Sequence, residues 1–423
     1  MSRKVMKWAG IYVIFALAVY LYIFVFSDPS IPGQYKGTSA DPITFMNERQ
    51  LLLSEEYSKV KNFLFFLNTP FEWLLYIVIL TVGLSGKMAK TAASMSRLSI
   101  IQNAVYVFYL SLISYAASFP FQYLSYYLSK KYNISNESFA MWMKDGLIDF
   151  WVSFLITTLI VCTLYYLIRK SPKRWWFYLW LLSIPFMLFF MFIKPVVIDP
   201  LYNDFYPLKD KQLENKILHL AKKANIPAEH VFEVDMATKT NTMNAYVTGI
   251  GSNSRIVLWD TTLQKLSDDE ILFIMAHEMG HYVKKHIYYG IAMYVAAGFA
   301  GLWLTAKWME WLVRRKGMEW HIPSMGSLSS LPVFLCIVSI LSFLSSPVSN
   351  AISRYEEKSA DQYAIEMVRD PDSAIRTFQE LSKSSLSQVN PPVLVKLFRY
   401  THPSMLERIS MLESYGKTNK HLE

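Results

Sequence analysis

The sequence predicts a mostly α-helical, polytopic membrane protein with a small α+β part that carries its chemistry. The first observation is composition: 53% of the 423 residues are hydrophobic and only 18% are charged. Soluble domains contain more charge and less apolar residue than this. The second observation is a set of long apolar runs, and the third is a pair of polar regions that flank the last two runs.

Seven stretches are long and apolar enough to cross the hydrocarbon core of a bilayer. The first follows three basic residues and lacks a small-residue cleavage site, so we expect a retained anchor and not a cleaved signal peptide. The last is the weakest, because it is rich in serine and ends near Pro347. The seven stretches lie near 8–26, 67–86, 100–120, 148–168, 175–193, 287–306 and 331–350.

Two polar regions interrupt the membrane pattern. In the first, helical spacing over 211–224 and apolar β-branched runs at Val231–Val234 and Arg255–Trp259 predict one helix and two strands, separated by turn residues. The second region reads as several amphipathic helices. The predicted organisation is a five-helix membrane region, a first catalytic part, two further spans and a second catalytic part, over 1–194, 195–286, 287–350 and 351–423.

The motif His277-Glu278-Met279-Gly280-His281 has the pattern HExxH. On a helix its two histidines share one face, so both rings can reach a single metal ion. Glu278 lies between them, where it can deprotonate an attacking water. Ser267-Asp268-Asp269-Glu270 resembles a capping box that would begin this helix just upstream. The alternative is a surface helix whose two histidines are satisfied by ordinary hydrogen bonds.

Glu357 and Asp361 are the best candidates to complete a metal site. They are one helical turn apart, so Glu357 could bind the ion while Asp361 accepts a hydrogen bond from a metal-binding histidine. Glu356 points about 100° away on a helix and is expected to face solvent. A solvated, charged helix face would produce the same residues.

His402-Pro403 and Arg408 form a third polar element near the end of the chain. A histidine near the metal can donate a hydrogen bond to the oxyanion of a tetrahedral intermediate. An arginine nearby can fix a carboxylate or a backbone carbonyl. A loop that begins a helix would explain the His-Pro pair equally well.

The net charge indicates which kinds of partner to expect, and the apolar surroundings of the two cysteines indicate their role. The net charge of +9 fits basic loops beside anionic lipid, because no basic cluster is interleaved with an aromatic platform for nucleic acid. We therefore expect a lipid bilayer and no nucleic acid as partners, while the oligomeric state stays open. Cys162 and Cys336 both lie in apolar runs and are expected to be small buried hydrophobic residues.

Taken together, these residues resemble the type I CAAX prenyl endopeptidases, which are integral-membrane zinc metallopeptidases. The resemblance extends from Asp199 to about Ile409 and is more specific than HExxH alone. Its residues are Pro200, Asn203, Phe205, Pro207, Leu208, Asn244-Ala245-Tyr246, Gly249, Arg255-Ile256-Val257-Leu258, Asp260-Thr261-Thr262-Leu263, the HExxH motif, His286, Ser353-Arg354, Glu357, Ala360-Asp361, His402-Pro403 and Arg408.

The resemblance implies seven long helices around a large water-filled chamber, with a zincin-like α+β catalytic domain at one end. It also implies one zinc ion per chain and a peptide or protein substrate, which is prenylated or membrane-associated in that family. The implied site has His277, His281 and Glu357 as metal ligands, Glu278 as base, Asp361 as a supporting acid, Asn244 and Ala245 on a substrate-binding edge strand, and His402 with Arg408 at the catalytic end.

Three other functions stay open. A quality-control protease of the same superfamily would cleave misfolded membrane proteins without requiring a prenyl group. A seven-span transporter or receptor would carry an incidental metal site, and a structural zinc site would close the fourth ligand position with Cys or His. The expected location is the cell membrane in a bacterium and the endoplasmic reticulum membrane in a eukaryote.

The membrane orientation also stays open. Basic loops after the fourth and sixth spans, at 169–174 and 314–316, would lie in the cytoplasm by the positive-inside rule. That rule places the two polar regions outside, whereas the family resemblance implies that they face the cytoplasm. We favour the orientation that the resemblance implies.

Overall fold

The computed structural model describes residues 3–228, 230–248 and 255–420. Among them are fourteen α-helices and four strands, named here in chain order. The helices are α1 Arg3–Leu21, α2 Glu48–Thr81, α3 Leu84–Met95, α4 Ser99–Lys131, α5 Phe139–Lys170, α6 Trp175–Ile193, α7 Lys211–Lys223, α8 Asp260–Lys265, α9 Asp268–Val283, α10 His286–Lys316, α11 Leu331–Val368, α12 Pro371–Ser385, α13 Val393–Arg399 and α14 Met405–Lys420. The strands are β1 Phe205–Pro207, β2 Val231–Val234, β3 Ala245–Thr248 and β4 Arg255–Trp259.

Seven helical segments of the described chain are long and apolar enough to cross a membrane, which is the number that the sequence predicts. The second stretch, expected at 67–86, differs from the structure. Helix α2 ends at Thr81, and Gly83, with a positive φ of 69°, separates it from α3. Hydropathy does not detect this break, because the residues on both sides of the turn are apolar.

Helix α11 joins the seventh span to the second polar region. It continues for 38 residues, past Pro347 and across position 350, without interruption. The change from apolar to polar residues at 350 therefore marks a change of surroundings within one helix. As a result, Glu357 and Asp361 lie on the same rigid element as the last membrane span.

A four-stranded sheet lies beside the helix that carries the HExxH motif. Its strand order is β1-β2-β4-β3, with β2 and β4 parallel and the two outer strands antiparallel to their neighbours. The strands predicted at Val231–Val234 and Arg255–Trp259 and the helix predicted at 211–224 are confirmed. Because β3 is an edge strand, one side of its backbone is available for pairing.

Helix α9 is held on two sides by hydrophobic cores. Ile271 and Met275 pack with β4 residues in one core, whereas Phe273 and Ala276 pack with α11, α12 and α14 in another. Full burial of each large apolar side chain contributes about 1.5–3 kcal/mol. The predicted capping box also forms, with the Ser267 amide donating to Glu270 Oε2 at 2.8 Å. The HExxH motif therefore lies on a firmly positioned helix.

Candidate metal centre and active site

Helix α9 places the two histidines of the motif side by side. Their Nε2 atoms are 3.2 Å apart, as expected for two rings one helical turn apart that face the same point. Gly280 permits the close approach of α11 to this turn. A Cβ atom there would lie 3.1 Å from the Cα of Ala360 and 3.3 Å from its carbonyl oxygen. Gly280 thus brings the two helices that carry the candidate ligands into contact.

Glu357 of α11 supplies the third candidate ligand. Its Oε2 lies 3.2 Å from His277 Nε2, and its Oε1 lies 3.4 Å from His281 Nε2. A tetrahedral zinc with ligands at about 2.0–2.1 Å holds those ligand atoms at comparable separations. Glu357 Oε2 is buried and has no well-aligned hydrogen bond among the described residues. An unsatisfied carboxylate oxygen between two histidines fits a metal ion.

Asp361 lies on the far side of His277 from Glu357. Its Oδ1 is 2.8 Å from His277 Nδ1, although the ring N–H is not well aligned with it. Arg408 holds this carboxylate through both oxygens, with Nε donating to Oδ2 at 2.8 Å and Nη2 donating to Oδ1. The Arg408 guanidinium also lies 4.0 Å from the centre of the Phe378 ring. Arg408, which the resemblance implies as a substrate-binding residue, thus forms an ion pair with Asp361 and also lines the cavity that contains Glu278.

These charges set the protonation of His277. Burial disfavours its charged form, but the adjacent charge of Asp361, with the contact to Glu357, prevails and raises the pKa of His277 to about 10. A metal ion that binds at Nε2 must therefore displace a strongly held proton.

Glu278 and the candidate ligand His277 line a cavity of about 410 Å³, named here the active-site cavity. Burial raises the pKa of Glu278 above its ordinary value, and the neighbouring His277 and His281 offset this only in part. A carboxylate with a raised pKa in a cavity is suited to accept and return a proton.

His402 reaches the same cavity from the loop before α14. Its Nε2 lies 3.4 Å from Glu357 Oε2, and its Nδ1 lies 3.0 Å from the hydroxyl of Thr401. Partial desolvation beside the cavity lowers the pKa of His402, so its neutral form predominates near pH 7. A neutral imidazole can still donate one N–H to a developing oxyanion.

Asn244 and Ala245 line the active-site cavity together with Glu278. Ala245 is the first residue of edge strand β3, and its backbone amide donates to Asn244 Oδ1 at 2.9 Å. The Asn244 backbone is held by Thr262, whose hydroxyl donates to its carbonyl oxygen at 2.8 Å. Gly249, part of the same sequence pattern, lies outside the described residues.

His286 has a contact that sequence reasoning did not predict. It begins α10, and its Nδ1 lies 3.0 Å from His281 Nδ1. The sequence pattern included His286 but gave it no role. Its position five residues after the motif is a weak signal, because the contact depends on the turn at Lys285, where φ is 59°.

Comparison with known proteins identifies the family. One family model, described as the CAAX prenyl protease N-terminal region of five membrane helices, matches residues 39–204, and the model of peptidase family M48 matches residues 207–415. A relative from Bacillus subtilis (strain 168), named uncharacterized metalloprotease YhfN, is 50% identical over 420 residues, which cover 99% of each chain. The chain belongs to peptidase family M48.

Two further relatives of this M48 peptidase are named CAAX prenyl proteases. The CAAX prenyl protease 1 homolog of Arabidopsis thaliana is 31% identical over 305 residues, 70% of each chain. CAAX prenyl protease 1 of Saccharomyces cerevisiae is 26% identical over 346 residues, 76% of this chain and 74% of the yeast protein. The M48 peptidase is therefore a multi-pass integral membrane metalloendopeptidase, and its family implies a bound metal ion.

A solved structure supports the architecture. The crystal structure of S. mikatae Ste24p matches with a TM-score of 0.79 at 23% identity, over 96% of this chain and 98% of that chain. The predicted fold class is thus confirmed: seven membrane helices around a chamber, with a small α+β domain.

Proposed function

We propose that this M48 peptidase binds one zinc ion through His277, His281 and Glu357 and hydrolyses peptide bonds in the active-site cavity. The observation that carries the proposal is the convergence of these three ligand atoms within 4.8 Å of one another, beside Glu278. The donor set of two imidazoles and one carboxylate is typical of zinc peptidases that keep a fourth position open.

Different side chains carry out different steps of the proposed hydrolysis. A bound zinc ion would polarise the scissile carbonyl and acidify a water molecule. Glu278 accepts the proton of the attacking water and passes it to the leaving amine. His402 donates a hydrogen bond to the oxyanion through its neutral ring.

Two other groups hold the reactants in position. Asp361 orients His277, and Arg408 keeps Asp361 ionised and in place. The edge of β3 at Asn244 and Ala245 pairs with an extended substrate by adding a strand to the sheet.

The proposed division of the chain follows the one that the sequence suggests. Residues 1–194 and 287–350 enclose the chamber in the bilayer, and residues 195–286 and 351–423 carry the catalytic groups.

The substrate class follows from the names of the relatives. The Arabidopsis and yeast relatives are named CAAX prenyl proteases, so the proposed substrate is the C-terminal segment of a prenylated protein. The second candidate is a membrane-protein quality-control protease without prenyl specificity. It is favoured weakly by the 50% identical bacterial relative, whose name specifies a metalloprotease and no substrate.

Zinc content and peptide cleavage test this proposal on detergent-purified protein. Wild type and Glu278→Gln would each be given a farnesylated C-terminal peptide and its unprenylated twin. One zinc ion per chain in both proteins, with a loss of turnover of at least about a thousandfold in the variant, is expected. Glu366→Gln is the matched control, because Glu366 is exposed near the end of α11 and should leave cleavage unchanged.

Each outcome separates the candidates. Preference for the farnesylated peptide would support prenyl-protein processing, and equal cleavage of the twins would support the broader protease. Full turnover by Glu278→Gln with its zinc intact would remove Glu278 from the role of base. Folded wild type without zinc would overturn the metal site itself.

A further inference from the structure

One face of helix α11 carries two polar residues besides the candidate metal ligand and its supporting acid. The side chains of this face are spaced by four, three and four residues, so they project from the same side of the helix; they are Asn350, Arg354, Glu357 and Asp361. Glu357 and Asp361 belong to the candidate metal centre. Asn350 and Arg354 instead contact the C-terminal end of helix α13. The same face therefore joins the metal centre to a second helix of the catalytic part.

Arg354 and Asn350 satisfy backbone carbonyl groups at the end of α13. Arg354 Nη1 donates to the carbonyl oxygen of Lys396 at 3.0 Å and to that of Tyr400 at 2.8 Å. One turn earlier on α11, the buried Asn350 donates through Nδ2 to the carbonyl oxygen of Leu397 at 3.0 Å. The last carbonyl groups of a helix have no partner within it, and the helix dipole makes a positive charge favourable there. These two side chains of α11 therefore cap α13.

The capped end of α13 leads directly to His402. Tyr400, whose carbonyl oxygen accepts from Arg354, lies two residues before His402. Helix α13 ends at Arg399, and the backbone becomes extended at Tyr400, where φ is −88° and ψ is 113°. His402 Nε2 then lies 3.4 Å from Glu357 Oε2. The loop that carries His402 is thus anchored on α11 only three residues before Glu357.

Apolar contacts hold the body of α13 but do not orient its end. Val395 is fully buried, and the Phe398 ring stacks on Phe343 of α11 with ring centres 5.0 Å apart. Apolar burial is non-directional, whereas a hydrogen bond depends on both distance and angle. The two hydrogen bonds from Arg354 therefore supply a directional constraint at the point where the chain leaves α13 for His402.

We propose that Arg354 is a positioning residue of this peptidase, which fixes the place of His402 relative to Glu357 by capping α13. The inference rests on the proposed role of His402 at the oxyanion and names the group that places it. A displacement of about 1 Å in a reacting or stabilising group can cost about a hundredfold in rate. Arg354 is not among the described residues that line the active-site cavity, so it acts on turnover through His402.

A cycle of variants tests the proposal, with the better cleaved of the farnesylated and unprenylated peptides as substrate. His402→Ala is expected to lower kcat about a hundredfold, and Arg354→Met about tenfold, with KM and zinc content close to those of wild type. Because Arg354 acts through His402, the double variant should be no slower than His402→Ala alone. Arg354→Lys can still donate to a carbonyl group and should recover part of kcat.

Lys358→Met is the matched control, because Lys358 carries the same charge one turn further along α11 and is exposed. Its kcat should equal that of wild type. Unchanged kcat in Arg354→Met would overturn the proposal, and so would two effects that multiply in the double variant. Full turnover by His402→Ala would instead refute the oxyanion role in the proposed function, and the positioning role would fail with it.

Hydrogen–deuterium exchange adds a readout that does not need turnover. In Arg354→Met the backbone amides of 398–404 should exchange about tenfold faster than in wild type or Lys358→Met, while those of α9 stay protected. Arg354→Lys should show an intermediate rate. Unchanged exchange at 398–404, or an equal rise in α9, would contradict a local anchor. If wild type cleaved neither peptide, the proposed function would fail, but exchange would still decide whether Arg354 holds the His402 loop.

Discussion

His277 and His281 lie one turn apart on α9, yet the protein supports the two rings in different ways. Behind His277 stands a carboxylate, Asp361, which is 1% exposed and is held by the buried Arg408. Behind His281 stands a second imidazole, His286, and the His281 side chain is 27% exposed. One candidate metal ligand is thus backed by a buried ion pair and the other by a second imidazole.

The two supports differ in what they connect within the protein. The Asp361–Arg408 pair joins α11 to α14, so the support of His277 also ties together two helices of the catalytic part. The support of His281 is local, because His286 lies only five residues later in the chain, at the start of α10. We therefore expect changes behind His277 to affect folding and metal binding, and changes behind His281 to affect metal binding alone.

The largest effect is expected from Asp361→Asn, which leaves the Arg408 charge buried without its partner. Loss of one member of a buried ion pair costs about 3–5 kcal/mol of unfolding free energy. The measurement is thermal unfolding in detergent with a chelator present, so that metal binding does not contribute. Combining Asp361→Asn with Arg408→Met should recover part of the loss, and a double variant less stable than the single one would contradict the ion-pair explanation.

The second effect concerns the pH dependence of metal binding. The pKa of His277 is raised to about 10, so below that pH the ion must displace its proton. Affinity should rise about tenfold per pH unit, or about a hundredfold from pH 7 to pH 9. In Asp361→Asn the pKa of His277 falls, and the slope should flatten. Competition with a chromophoric chelator at each pH measures the metal affinity. Identical slopes of affinity against pH in wild type and variant would exclude Asp361 as the cause of the pH dependence.

The number of membrane helices could be predicted from the sequence, because each needs a long apolar run that composition reveals. The residues at which these helices end could not be predicted. The end of α2 at Thr81 depends on the left-handed turn at Gly83. Helix α11 continues past position 350, because the backbone of a helix does not have to end where its side chains change from apolar to polar. The hydropathy of a segment indicates whether it lies in lipid or in water, but it does not indicate where the backbone turns.

The candidate site divides in a similar way. His277, His281 and Glu278 follow from one local motif, and Glu357 and Asp361 from a spacing of one helical turn. The contact of His286 depends on a turn, and the active-site cavity brings together residues that are far apart in the chain, such as Lys61 and Arg399. Local patterns cannot reveal such contacts, because only the tertiary structure creates them.

The smallest effect is expected from His286→Phe, which keeps a ring in place but removes the Nδ1 atom that lies 3.0 Å from His281 Nδ1. With a metal ion at Nε2 of His281, that atom would be the acceptor for the Nδ1–H of His281. Loss of such a supporting hydrogen bond weakens metal affinity by about tenfold or somewhat more. His286→Gln can restore an acceptor and should recover part of the affinity, and His219→Phe, on the exposed face of α7, is the control. Because Asp361 is untouched, the pH slope should stay that of wild type. If His286→Phe instead flattened the slope or destabilised the chelated protein as much as Asp361→Asn does, the two supports would not be independent.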